Sequence, residues 1–110
     1  MSSLSVRVFY EALRSIDSST FTGTYQALGA VLAHKPFLIK LVNSSTVPVT
    51  VSIDGTTDHD ICPSASFFLY DETANASREG GLTLAQGTQV WVKGAVGVGR
   101  VYLVVQYAGG

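Results

Sequence analysis

Charge is scarce in this sequence. Only 14% of its 110 residues are Asp, Glu, Lys or Arg, beside 46% hydrophobic residues, whereas an ordinary soluble domain carries roughly 25% charged residues. The seven basic residues, Arg7, Arg14, Lys35, Lys40, Arg78, Lys93 and Arg100, stand singly, and the formal net charge is −1. No stripe of cations follows a phosphate backbone, so no nucleic-acid partner is expected. Cysteine is scarcer still. A single Cys62 excludes an internal disulfide and a Cys-rich zinc site, and such a thiol is expected as a small buried hydrophobe. No apolar run approaches the ~20 residues of a membrane-crossing helix, so no membrane partner is expected. No basic-then-apolar leader opens the sequence, and the expectation is a soluble chain made without a signal peptide.

With so few charges, surface polarity must come from Ser, Thr, Asn and Gly. Such a surface is covered by another protein at low desolvation cost, since interface cores are depleted of Lys, Glu and Asp. An assembly subunit therefore fits this composition better than a freely diffusing monomer. A length of 110 residues suits one domain with one core.

What is present is strand patterning. In "LSVRVFY", Leu4, Val6, Val8 and Tyr10 alternate with Ser5, Arg7 and Phe9, the period of a half-buried strand. Glu11 to Asp17 has room for one helical turn, too short to stand alone. "STFTGTYQALGAVL" reads as two short strands or one bent at Gly23 or Gly29, with a helix over "YQALGAVL" the weaker reading. "FLIKLVN" and "VPVTVSID" read as a pair joined by the polar loop Asn43–Thr46, of hairpin length. Val47, Val49, Val51 and Ile53 then share one face, with Thr50 and Ser52 outward. "SFFLYD", "LTLAQGTQVWVKG" and "GRVYLVVQY" complete seven or eight strands, with a polar loop from Glu72 to Gly81 and a Gly-rich connection, "GAVGVG". The expected fold is all-β: an antiparallel β-sandwich, jelly-roll-like, forming a single domain over residues 1–110.

Candidate chemistry concentrates in "SIDGTTDHD", Ser52 to Asp60. Asp54-Gly55 directly after an alternating strand is a turn signal, because Gly tolerates positive φ and Asp bonds its own downstream backbone. Asp58, His59 and Asp60 are adjacent in extended chain and point to opposite sides, so they do not converge on one ion. A calcium loop would need a bidentate Glu at set spacing, and the nearest, Glu72, lies beyond an apolar strand. No metal or other cofactor is expected. A nucleophilic site would draw on Cys62, His34 and His59, but Cys62 precedes Pro63 rather than opening a helix, and no Gly-x-Ser-x-Gly elbow occurs. "GAVGVG" passes into a strand rather than a helix, which excludes a dinucleotide loop. Trp91 with Tyr25, Tyr70, Tyr102 and Tyr107 leaves a carbohydrate-binding module as an alternative, against ordinary strand packing. The sequons at Asn43 and Asn75 carry no functional weight outside a secretory pathway. No catalytic residue is assigned, and the protein is expected not to be an enzyme.

From Lys40 to Tyr107 the order of motifs, a strand ending in Val-Asn, "VTVSIDG", a "DHD" loop, "FFLYD" and "GTQVWVKG" before a closing strand, resembles small virion proteins of tailed bacteriophages. The resemblance implies a non-enzymatic part of the particle, most like the capsid decoration or cement proteins that sit on the outer capsid surface and clamp neighbouring major capsid protein subunits. It implies production in the host cytoplasm, and self-association into dimers or symmetric copies on the shell. The alternative place in the virion is a tail or neck adaptor. Residues 1–17 are the expected interaction arm or edge strand, with Leu4, Val6, Val8 and Tyr10 as the partner interface, adding a strand to a partner's exposed sheet edge.

Overall fold

Alternating and continuous runs of β-branched and aromatic residues build nine strands in the computed structural model, which describes residues 7–36, 38–71 and 84–109. They are β1 (Arg7–Tyr10), β2 (Arg14–Asp17), β3 (Gln26–Ala27), β4 (Leu38–Asn43), β5 (Val49–Ser52), β6 (Asp60–Cys62), β7 (Ser66–Asp71), β8 (Trp91–Lys93) and β9 (Arg100–Gly109). A 3-10 turn at Ser18–Thr20 follows β2. One sheet has the order β1-β9-β4-β7, with β2 also on β9, and the other the order β3-β8-β5-β6. Every pairing is antiparallel. The molecule is an antiparallel β-sandwich.

β9 is the spine of the first sheet. Its second half pairs with β1 (Tyr10 opposite Gln106) and its first half with β2 (Ile16 opposite Val101), so β1 and β2 lie end to end along one side of it. On its other side β4 runs in register from Leu38 opposite Gln106 to Asn43 opposite Val101. Alternation then divides each strand between core and outside. Ile39 and Leu41 of β4 and Val101, Leu103 and Val105 of β9 face Val49, Val51, Cys62 and Val92 of the second sheet, and Phe21, Leu28 and Leu32 close the core from the connections. Burying side chains of this size contributes about 1.5–3 kcal/mol each, which gives the charge-poor chain its cohesion.

Five expectations need correction. Arg14–Asp17 is a strand, not part of a helical turn, because a ladder to β9 offers four residues a partner that an isolated turn lacks. "FLIKLVN" and "VPVTVSID" are not a hairpin: β4 and β5 lie in different sheets. The cause is Asn43, buried at the corner, whose Nδ2 donates to the carbonyls of Val47, Cys62 and Pro63 while Oδ1 accepts from Ser45 N–H and Oγ. The alternation in β5 also fails at its end, where Ser52 is fully buried and Ile53 is exposed. In the "STFTGTYQALGAVL" stretch only Gln26–Ala27 is a strand. β6 occupies three residues read as loop in the sequence.

The "GAVGVG" connection is a tight loop packed on the Asn43–Thr46 corner. Ser44 N–H donates to Arg100 O, Thr46 N–H to Val98 O, and Val98 N–H to Thr46 Oγ1. Gly99 sits there at φ +104, and a Cβ would lie 2.5 Å from Ser44 O, so only glycine fits. Among the described strands, only the step from β5 to β6 stays within one sheet once β1 and β2 are counted together.

Candidate functional site

The ladders fix which side chains look outward from the first sheet. Lys40 is opposite Leu69 of β7 and Val104 of β9, and Val42 is opposite Phe67 and Tyr102. Leu38 shares its row with Gln106, which is opposite Tyr10 of β1. Alternation carries Val8 and Tyr10 to the same side. This outward face is apolar and open: Val8 is 45%, Tyr10 64%, Phe67 59% and Leu69 54% exposed. Its polar groups are few. Gln106 Nε2 donates to Tyr10 Oη at 2.8 Å, and Asp17 lies 3.7 Å from Arg100 at the far end. Lys40 forms no ion pair among the described residues.

The N-terminal interface expectation meets this face in part. Val8 and Tyr10 lie on it, while Leu4 and Val6 fall outside the described residues. Arg7–Tyr10 is bonded to β9 as an edge strand of its own sheet, so these four residues are not an arm reaching away. The rest of the face was not singled out in the sequence. A signal for it existed: "LIKLV" and "VYLVV" carry apolar residues on both faces of their strands, the pattern of strands covered on two sides.

A second site was also missed. Where the chain steps from β1 to β2, Glu11 and Arg14 are almost enclosed, with side chains 4% and 8% exposed, and meet at 2.6 Å. Arg14 donates through Nε to Ala30 O, through Nη1 to Ala12 O and through Nη2 to Val31 O. Glu11 accepts from Ala33 N–H and His34 N–H, and its Oε2 is 2.9 Å from His34 Nδ1. The His34 ring stacks on Tyr107, which stacks in turn on Phe9. Gly29 is required beside this pair, since a Cβ there would lie 2.6 Å from the Arg14 stem. Burial raises the Glu11 carboxyl, but hydrogen bonds from Arg14, His34 and Ala33 with the Arg14 charge outweigh it, and the net shift is downward. The pair closes the sandwich seam by tying residues 30–34 to the first sheet. A groove of about 610 Å³ runs alongside, floored by Ala12, Leu13, Ala30 and Val31.

The acidic stretch is a turn. Asp54 Oδ1 accepts from Ser52 Oγ, Thr56 N–H, Thr56 Oγ1 and Thr57 N–H, and the backbone donors of Thr57 and Thr56 hold its carboxyl far below the usual range. His59 Nδ1 accepts from Ile53 N–H at 3.2 Å, and Asp60 Oδ1 accepts from Ile61 N–H. Asp58 instead faces the second sheet, accepting from the Tyr25 hydroxyl and pairing with Lys93 at 3.0 Å, while the Lys93 ammonium sits 4.6 Å above the Tyr25 ring. Desolvation first, then the bond to Asp58, pushes the Tyr25 hydroxyl up to about 12. Cys62 is fully buried and its thiol is pushed up by that burial. Of the residues named for a nucleophilic site, Cys62 lies in the core, His59 in the turn after β5 and His34 against Tyr107.

The aromatic residues divide likewise. Tyr25 has Lys93 over its ring, and Trp91 lies beneath the Asp54-Gly55 turn, where a Gly55 Cβ would be 3.1 Å from its indole. Asn43 of the first sequon is buried with its amide committed to the corner. Compared with protein-family models, with curated proteins and with solved structures, the chain matches none of them.

Proposed function

We propose that this chain is a non-enzymatic structural virion protein of a tailed phage, which decorates and stabilises the capsid by binding major capsid protein subunits through the outward face of its β1-β9-β4-β7 sheet. The observation that carries this reading is that face, whose two edge strands expose apolar side chains, Val8 and Tyr10 on β1 and Phe67 and Leu69 on β7, with Leu38, Val42 and Val104 on the strands between them, in a chain whose described charged side chains are mostly bound to one another or to backbone. Contiguous exposed apolar surface on a folded domain marks a place where another macromolecule sits.

The motif order from Lys40 to Tyr107 supports the virion assignment. We further read the sandwich as a jelly roll. With β1 and β2 counted as one interrupted strand, the chain passes from sheet to sheet at each step between described strands except β5 to β6, as the paired Greek keys of that architecture require. The residues that would serve a hydrolytic site are used otherwise, Cys62 in the core and His59 in the turn.

A protein that binds the assembled lattice but not its dissociated subunits stabilises assembly by mass action, with no chemistry required of it. Purified protein is mixed with capsid shells lacking it and with dissociated subunits; each mixture is sedimented and the shells are heated. Saturable co-sedimentation with shells alone, with a raised disruption temperature, is the expected result. Absence of binding to shells would overturn the decoration role and move the protein to the tail or neck.

A further inference from the structure

We infer that the partner surface covering the outward face of the β1-β9-β4-β7 sheet is apolar and places a single carboxylate against Lys40. The inference deepens the docking role proposed above and rests on it for the identity of the partner. Lys40 is the third residue of β4, with Leu69 and Val104 beside it across the ladders and Leu38 and Val42 two residues away on its own strand. Four apolar side chains therefore frame one ammonium, on a residue that is itself half-buried. No acidic side chain pairs with it among the described residues.

An ammonium in that frame is well placed while water reaches it. Covering the face with purely apolar surface would strip its hydration without replacement, which disfavours binding strongly. A partner carboxylate returns that loss as a charge-assisted hydrogen bond in a water-excluded setting. The same reasoning excludes a second copy stacked face to face, because a two-fold axis through the centre of the face would bring Lys40 against Lys40. A face with one placed charge suits a partner presented many times on a fixed lattice, where that charge sets position.

Two measurements separate this inference from the docking role. In the first, octanoate, a carboxylate on an apolar tail, is titrated into the isolated protein with methyl resonances of Leu69 and Val104 observed by NMR. Saturable shifts are expected for the wild-type protein, at least about threefold weaker in Lys40→Met and absent with octylamine; equal responses in Lys40→Met, or none in the wild type, overturn the inference. In the second, capsid shells lacking the protein are sedimented with wild type, Lys40→Met, Lys40→Glu and Phe67→Glu, each verified as folded by its thermal transition. Affinity is expected to fall about tenfold or more in Lys40→Met and further in Lys40→Glu. If Phe67→Glu abolishes binding while both Lys40 variants bind as wild type, the docking role stands and the carboxylate is overturned. If octanoate reports Lys40 while wild-type protein ignores the shells, the chemistry of the face stands and the decoration role falls.

Discussion

The seam at Glu11 and Arg14 and the outward face around Lys40 lie on the same sheet and treat polar groups in opposite ways. At the seam both charged side chains are almost fully enclosed and Arg14 alone reaches three carbonyls and a carboxylate. On the face, Lys40 has no ionic partner among the described residues, and Phe67 and Leu69 are more than half exposed. A buried charge is tolerated only where the fold itself supplies its partners. A cation left without one, within an apolar surface, is tolerated because water still solvates it. The difference separates what holds this domain together from what it has to offer a partner.

Removing seam contacts is expected to cost far more than removing face contacts. Arg14→Ala leaves Glu11 buried without its cation and the carbonyls of Ala12, Ala30 and Val31 without its donors, and is expected to lower unfolding free energy by about 3–5 kcal/mol. Leu69→Ser on the face is expected to cost about 0.5 kcal/mol. Urea denaturation of both variants decides it, and a Leu69→Ser loss as large as that of Arg14→Ala would mean that the face belongs to the folded core. The corner between sheets ranks next. Asn43→Ala strips the donors from three carbonyls and the acceptor from Ser45, and a loss of about 3 kcal/mol is expected in the same measurement.

The strand content was legible because "LIKLVN" and "RVYLVVQY" are rich in β-branched and aromatic residues and bounded by turn residues. Their assignment to sheets was not. A four-residue polar loop after Asn43 looks like a hairpin locally, and the bonds that turn it into a corner reach Cys62 and Pro63, far along the chain. Glu11 and Arg14 were hidden for a similar reason. Their i,i+3 spacing is that of a helical pair, and the carbonyls of Ala30 and Val31 that decide their role come from another segment. The Asp54 turn, by contrast, was readable, since all its bonds fall between Ser52 and Thr57. Self-contained motifs show in sequence; those completed from across the fold do not.

Acid separates the seam from the face by a smaller effect. Glu11 titrates below its ordinary value in the folded chain, so its contribution is fully present above the unfolded value of 4.5 and is lost as pH falls through the folded one. Asp54, Asp17 and Asp58 are also lowered, so wild-type stability alone does not isolate Glu11. The difference between wild type and Glu11→Gln does. Thermal melts from neutral to acid pH are expected to show that difference shrinking below pH 4.5, whereas Lys40→Met tracks the wild type throughout. A constant difference would remove Glu11 from the acid response of the seam.

The smallest effect belongs to the second sheet, where exposed Asp58 and half-buried Lys93 and Tyr25 form a set that is satisfied, as at the seam, yet reached by water, as on the face. Exposed ion pairs contribute little because water competes for both partners. Asp58→Asn is therefore expected to leave the unfolding midpoint nearly unchanged. It should nevertheless move Tyr25, whose hydroxyl is held at about 12 by desolvation and by its bond to Asp58: tyrosinate absorbance in the folded variant is expected to rise at lower pH than in the wild type. A large loss of stability with no shift in that titration would place Asp58 with the seam residues. The expected pair of results, an altered titration on an unaltered fold, would show that satisfying a charge matters to this sandwich only where water has been excluded.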